Sequence, residues 1–379
     1  MEAIQRLAAH VKSRMGDLIR HKKQGGKIVG YSPGGYLPEE IVLAAGAIPV
    51  CMARGGDHTL VELAGAYVCR WLDTFCRTQI AYGASGEDPY YNVLDLLAIP
   101  ITDNHVRAVS DILSYHTGLD IFPFGVPHMK EQAASDYYLH GINRFKEKME
   151  NLCSVSITEQ KLKQAIELCN RERELFRNIS LLRQANPSPV KGSDFVALHH
   201  GSLVADKEFM VDVLEAVYRH FQENAPLRES APRLLFTGST LAIGDLRVLN
   251  LIEGYGGKVV IEEFAEGLRP YWENVSLDGD PMAALADAYF TRRVPPAWFR
   301  PGTERLDFLL KLAGDYTVDG VVWYHLLYRE SYKTESYYFP RRLKDGPGIP
   351  MIVIESDYDA SEAGQLSTRI ETFMHTLRS

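Results

Sequence analysis

Short, unbroken apolar runs recur along this chain, each followed by a longer stretch with helical spacing, and few folds accommodate that alternation. Arg233-Leu-Leu-Phe-Thr237 leads into Gly238-Ser239-Thr240. The spacing then predicts a helix over 241–253, stopped by Gly254, Gly256 and Gly257, before the next run, Lys258-Val-Val-Ile-Glu262. Two later runs, Asp319-Gly-Val-Val-Trp-Tyr324 and Ile349-Pro-Met-Ile-Val-Ile354, precede a closing helix predicted over 362–377. The first half follows the same pattern: strands at 27–31, 47–51, 94–101 and 119–124, with a helix over 38–45 opened by Pro38. A strand without polar alternation is buried on both faces, which means a parallel sheet covered by helices on either side. The chain is therefore read as α/β, with two open parallel-sheet domains plus N-terminal and linking helices. A long helix predicted over 158–183 runs into the polar, Pro-rich stretch Gln184-Ala-Asn-Pro-Ser-Pro-Val-Lys-Gly-Ser193, which sets the domains at 1–185 and 186–379.

Charge and cysteine usage narrow the function classes. With 41 Lys and Arg against 49 Asp and Glu, a net charge of −8 and no basic block, the 379-residue chain lacks the cation cluster that a nucleic-acid surface needs. Its most apolar stretch, 41–52, falls short of the roughly 20 residues that span a bilayer, so no membrane partner is expected. Residues 1–20 read as an amphipathic helix without a signal-peptide core, and the expected location is cytoplasmic. The five cysteines, at 51, 69, 76, 153 and 169, include no Cys-x-x-Cys pair and suggest no disulfide framework. Cys169 lies on the apolar stripe of the 158–183 helix and reads as a small core residue, and Cys153 is read the same way. The alternating Arg171-Glu-Arg-Glu174 is read as a solvated face of that helix.

Open α/β sheets bind ligands beyond the carboxyl ends of their strands. That rule nominates Ser32-Pro33-Gly34-Gly35-Tyr36, Thr102-Asp103-Asn104-His105 and Gly238-Ser239-Thr240. At the first, paired glycines permit close backbone approach, and a helix start offers free N–H groups to an anion. At the third, Ser239 or Thr240 is expected to cap the following helix. A dinucleotide Gly-x-Gly-x-x-Gly, a phosphate-binding P-loop and a Gly-x-Ser-x-Gly elbow are all absent. His199-His200, placed near a strand-to-loop transition, has no third metal ligand at a recognisable spacing. His105, His116 and His128 are scattered.

Several segments taken together resemble one family. Gly30-Tyr-Ser-Pro-Gly-Gly-Tyr-Leu-Pro-Glu-Glu-Ile-Val-Leu-Ala-Ala-Gly-Ala-Ile-Pro-Val50, with Arg54-Gly-Gly-Asp57, is similar to the opening of the 2-hydroxyacyl-CoA dehydratase and benzoyl-CoA reductase subunits. Gly256-Gly-Lys-Val-Val-Ile-Glu-Glu263, with Gly267-x-Arg269, resembles their second-domain stretch. Glu355-Ser-Asp-Tyr-Asp359 and Gly364-Gln-Leu-Ser-Thr-Arg-Ile-Glu-Thr-Phe373 resemble their ending. The resemblance covers nearly the whole chain and suits the smaller subunit. It implies two Rossmann-like domains and a heterodimer with a homologous larger subunit, or a homodimer. It also implies a CoA thioester substrate and an ATP-dependent iron–sulfur activator protein that injects one electron. A [4Fe-4S] cluster held by three cysteines would pass that electron to the thioester carbonyl, forming a ketyl radical.

At the cluster ligands the chain departs from the pattern. Tyr67-Val-Cys69-Arg70 fits the first ligand, with Cys76 as a neighbour. The second position reads Asp103-Asn104, the third falls at Tyr328-Arg329-Glu330, and a further cysteine is replaced near Ala265. Two expectations follow. Either the cluster sits on the partner and this chain shapes the CoA cleft through Ser32, Gly34, Gly35, Tyr36, Gly238, Ser239 and Thr240, or Cys69, Cys76 and Asp103 (or Cys51) hold an unusual metal centre. A non-redox CoA-ester-binding or structural subunit on the same fold is the alternative function.

Overall fold

The computed structural model describes residues 1–223 and 231–378. Its eight strands make two four-stranded sheets. The first contains β1 (Ile28–Tyr31), β2 (Ile48–Cys51), β3 (Leu96–Ile101) and β4 (Ile121–Gly125), in the order β2-β1-β3-β4. The second contains β5 (Arg233–Thr240), β6 (Lys258–Glu266), β7 (Gly320–Leu326) and β8 (Met351–Ser356), in the order β6-β5-β7-β8. Every pairing is parallel. The central strands β5 and β7 are buried along their whole length, as continuous apolar runs require. In each sheet the winding reverses between the two central strands, β1 and β3 or β5 and β7. Crevices open at the carboxyl ends of the strands at such points. The α/β class with two Rossmann-like sheets is the architecture found.

Helices Glu2–Lys23 and Glu159–Leu182 form where the periodicity places them. The Pro-rich stretch at 184–193 then leads into two further helices, Gly192–Ser202 and Lys207–Glu223, ahead of β5. These two pack back on the first two through a shared apolar cluster that includes Leu7, Phe176, Phe195 and Met210. Apolar packing thus crosses the Pro-rich stretch. A larger cluster runs through both sheets, joining Val29 and Leu96 to Leu235 and Val321.

Three expectations are corrected. The helix expected over 241–253 begins only at Arg247, with Leu246 at its cap position, so neither Ser239 nor Thr240 caps it. Both belong to β5. The residues freed from that helix reach across to the first domain instead: the Ile243 N–H donates to the Ala53 carbonyl at 2.8 Å, and the Gly55 N–H donates to the Ile243 carbonyl at 2.9 Å. Glycine is needed here because a Cβ on Gly56 or Gly244 would press into the facing glycine backbone. Second, His199 and His200 lie inside helix Gly192–Ser202, both buried, and not at a strand end. Third, the run Arg171–Glu174 is not solvated throughout: Glu172 and Arg173 are 1% and 7% exposed.

Gly238 shows how tightly β5 meets β7. Its φ is 153°, and an added Cβ would fall on the Tyr324 carbonyl oxygen. Gly238→Ala should lower the melting temperature by about 5 °C, taking about 4 kcal/mol for a strained, overpacked backbone site and about 1.3 °C per kcal/mol for a chain of 379 residues. Gly254→Ala, whose methyl meets nothing within 4 Å, should leave it within about 2 °C. Thermal melts of the two variants followed by circular dichroism check the contrast.

Candidate functional site

The carboxyl ends of β1 and β6 face each other across a cavity of about 300 Å³. The loop after β1 supplies Gly34, Gly35 and Leu37, and the chain from late β6 onward supplies Phe264, Leu268, Arg269, Tyr271 and Trp272. The inner end of the cavity is built from charge. Glu39, at the start of the short helix Glu39–Ala44, accepts a hydrogen bond from the Tyr31 hydroxyl. It also accepts from Arg269 at 2.5 Å and from Lys207 at 2.8 Å. Lys207 donates to Glu172 at 2.8 Å as well. Beside this group Arg173 pairs with Glu40 at 2.5 Å, and the Tyr289 hydroxyl donates to Glu40 at 2.8 Å. Burial alone would push the Glu39 carboxyl up, but Arg269 and Lys207 outweigh it and hold the group well below the usual carboxylate range. His199, stacked on Phe176, accepts the Arg269 backbone N–H at 3.1 Å and so fixes where that arginine emerges. Its burial holds its pKa well below the ordinary value, which keeps it neutral.

The helix start after Gly35 was expected to offer free N–H groups to an anion. The chain fills that electropositive end itself, because Glu39 and Glu40 occupy the first turn and are both buried. The glycine pair has another use. Arg293 donates to the Gly34 carbonyl at 2.5 Å and to the Gly35 carbonyl, while its guanidinium lies 4.4 Å from the centre of the Tyr36 ring. A Cβ on Gly35 would collide with that guanidinium. Tyr36 is 1% exposed, and its carbonyl accepts from the Tyr138 hydroxyl at 2.6 Å. The Ser32 hydroxyl is buried without a partner.

Gly238, Ser239 and Thr240 do not line this cavity. The Ser239 hydroxyl accepts the Leu326 N–H at 3.1 Å, and the Thr240 hydroxyl donates to Glu266 at 2.7 Å. That second bond leads to a different cluster. Arg329, 4% exposed, donates to Asp103 at 2.8 Å and to Glu266. Burial works against the charge of Asp103, but Arg329 and the N–H groups of Val106 and His105 hold its carboxyl below the usual range. Burial pushes Glu266 up to about 7 in spite of Arg329. Cys76 is buried nearby, its thiol pushed well above the ordinary value by burial and by Asp73, whereas Cys69 is exposed. Cys69, Cys76 and Asp103 are not gathered: among the described residues no group of three or more His, Cys, Asp or Glu side chains is arranged to hold a metal ion.

Glu172, Arg173 and Lys207 escaped the sequence reading. A signal was available, since 172 and 173 fall three and four residues after Cys169 on the buried stripe that continues to Phe176.

Comparison with known proteins decides the family. Residues 35–377 match the model of the 2-hydroxyglutaryl-CoA dehydratase D-component. The chain belongs to this family. A protein of Escherichia coli K12 provisionally named as a dehydratase subunit, YjiM, is 30% identical over 90% of this chain and 89% of its own length. The (R)-phenyllactyl-CoA dehydratase beta subunit of Clostridium sporogenes is 24% identical, covering 95% of this chain and 94% of that one. One of the benzoyl-CoA reductase subunits of Thauera aromatica is 26% identical, over 72% and 70%.

A dehydratase-family chain raises the question of the iron–sulfur centre that the sequence resemblance implies, and the residues present do not fit one. Two of the three expected ligand positions, Asp103 and Arg329, do meet, but as an ion pair with a guanidinium between carboxylates. A guanidinium has no lone pair to give iron, and it already engages the Asp103 carboxyl at 2.8 Å.

Glu266 makes this cluster visible in a titration. Its proton is bound more tightly in the folded chain than in the unfolded one, where the ordinary value is 4.5. The stabilisation it contributes is complete below that value and is lost as pH rises through about 7. Asp103 acts in the opposite sense, losing its contribution only as the pH falls below the usual carboxylate range. Urea unfolding from pH 5 to 8 should therefore show wild-type stability falling relative to Glu266→Gln. Asp245, raised to about 6, slopes both proteins alike and cancels in the difference.

Proposed function

We propose that this chain is the smaller subunit of a 2-hydroxyacyl-CoA dehydratase or benzoyl-CoA reductase type of complex. In this reading it contributes a thioester-accommodating cleft and a subunit interface, and the [4Fe-4S] cluster resides in the homologous larger partner. Electrons from an ATP-dependent activator would enter through that partner, and one-electron activation of the thioester carbonyl would take place there. The names of the relatives favour dehydration of a 2-hydroxyacyl group over ring reduction, since phenyllactyl-CoA dehydratase aligns along nearly the whole chain.

The observation that carries the division of labour is Arg329 bridging Asp103 and Glu266. A guanidinium and two carboxylates in those places offer an iron–sulfur cluster no thiolate. The same observation favours, as a second reading, a purely non-redox partner that binds the CoA ester or stabilises the larger subunit.

Anaerobic co-purification separates the readings. The chain alone should contain well under one iron per protomer, and Cys69→Ser/Cys76→Ser should not change that value. The complex with the larger subunit should hold about four irons, the content of one cubane. It should turn over a 2-hydroxyacyl-CoA only when the activator and ATP are present. About four irons in the isolated chain would overturn the proposal. A partner equally active without this chain would leave only the non-redox reading.

A further inference from the structure

The cavity between β1 and β6 has one feature that its structural role does not use. Of the cations lining it, Arg269 is closed by Glu39 and Glu172, Arg173 by Glu40, Arg292 by Asp287 and Glu273, and Lys311 by Asp315. Arg293 alone has no carboxylate within ion-pair distance among the described residues. Two of its five N–H groups go to the Gly34 and Gly35 carbonyls, its Nε is buried without a partner, and one further N–H is left on each of Nη1 and Nη2. The carboxylates of the cavity are all answered: Glu262 by Arg183, Glu263 by Arg305, and the rest by the cations just named. Electrostatically the lining can take an oxygen acceptor at Arg293, while each of its carboxylates already sits in an ion pair and only the Glu172 Oε1 among their buried oxygens lacks a hydrogen bond. Its remaining surface is apolar and aromatic, with Phe264, Leu268, Tyr271, Trp272 and Phe308 as walls. A volume of about 300 Å³ with that lining lies within the ordinary range of small-molecule sites.

We propose that this cavity is an acyl pocket and that Arg293 is its positioning residue. The aromatic or branched aliphatic body of an acyl group lies against the Phe264 and Trp272 walls, and an acyl oxygen accepts from the free N–H groups of Arg293. The Gly34-Gly35 loop holds the guanidinium in place through its carbonyls, which accounts for glycine at 35, where any side chain would displace it. At the rim, Arg292 and Lys311 sit in exposed ion pairs that phosphate groups could exchange into at little cost. The assignment of the acyl group to a thioester rests on the function proposed above; the pocket itself would accept the same chemistry from a free carboxylic acid.

Equilibrium dialysis of the full chain against 3-phenylpropanoyl-CoA, acetyl-CoA, CoA and 3-phenylpropanoate tests both points. 3-Phenylpropanoyl-CoA should bind at least tenfold more tightly than CoA. Arg293→Gln should weaken it by about 10- to 100-fold, the range for a hydrogen bond to a charged group, with partial recovery in Arg293→Lys. Ala288→Phe, which adds a ring at a residue of the cavity lining, should weaken 3-phenylpropanoyl-CoA and spare acetyl-CoA. That arm keeps the proposal testable if the arginine variants fold poorly. Unchanged binding of 3-phenylpropanoyl-CoA in folded Arg293→Gln and Ala288→Phe would overturn the pocket and leave the proposed function standing. Binding of 3-phenylpropanoate alone, with the same dependence on Arg293, would support the pocket and overturn the thioester. Binding of none of the four would overturn both.

Discussion

The buried ion network around Arg269 joins parts of the chain that lie far apart in sequence. The guanidinium follows β6, its partner Glu39 follows β1, and Lys207 and Glu172 come from the two linking helices. Taking such groups out of water costs several kcal/mol per ion. Only close, multiple pairing offsets that cost, so the geometry is stringent: Glu39 has three donors, and Lys207 two carboxylates. A network of this kind is weak evidence for added stability but strong evidence for a defined arrangement of the sheets, because moving one partner leaves a bare charge behind. Three members of the network, Glu39, Glu172 and Arg269, line the cavity at the carboxyl ends of β1 and β6.

The second buried cluster, at Arg329, follows the same physics with a different consequence. It lies where the family resemblance expects sulfur ligands, and it offers a cation between two carboxylates. A guanidinium there lets Asp103 and Glu266 remain buried without a metal, and the Thr240 hydroxyl completes the hydrogen bonding. One family fold can carry different chemistry at a given site, since function resides in sites and not in the fold that carries them.

Much of the architecture was legible in the amino-acid order. Unbroken apolar runs identify parallel strands, and helical spacing places Glu2–Lys23 and Glu159–Leu182 to within a few residues. The misreadings share one cause. Residues 241–246 have an acceptable helical pattern, but the backbone of Ile243 pairs with residues 53 and 55 of the other domain, a gain that no local pattern records. Ser239 and Thr240 look like caps and are strand residues, because Leu326 and Glu266 supply their partners. At the site, the Gly34-Gly35 loop and the Asp103 and Arg329 positions could be named in advance; Glu172 and Arg173 were signalled only by their place on the buried stripe of Cys169 and Phe176, and Lys207 and Arg293 by nothing local.

The order of residues by itself determined the fold class and carried the resemblance that nominated the family. These depend on side-chain periodicity and on residue identity, both of which are local properties. Only the tertiary structure decided which charges are buried and which of them is left with open donors. A charged side chain belongs inside only if a partner is waiting there, and the partner of Glu39 lies 230 residues away at Arg269. No window along the chain spans that distance, so the character of the cavity emerges only when the two sheets are brought together.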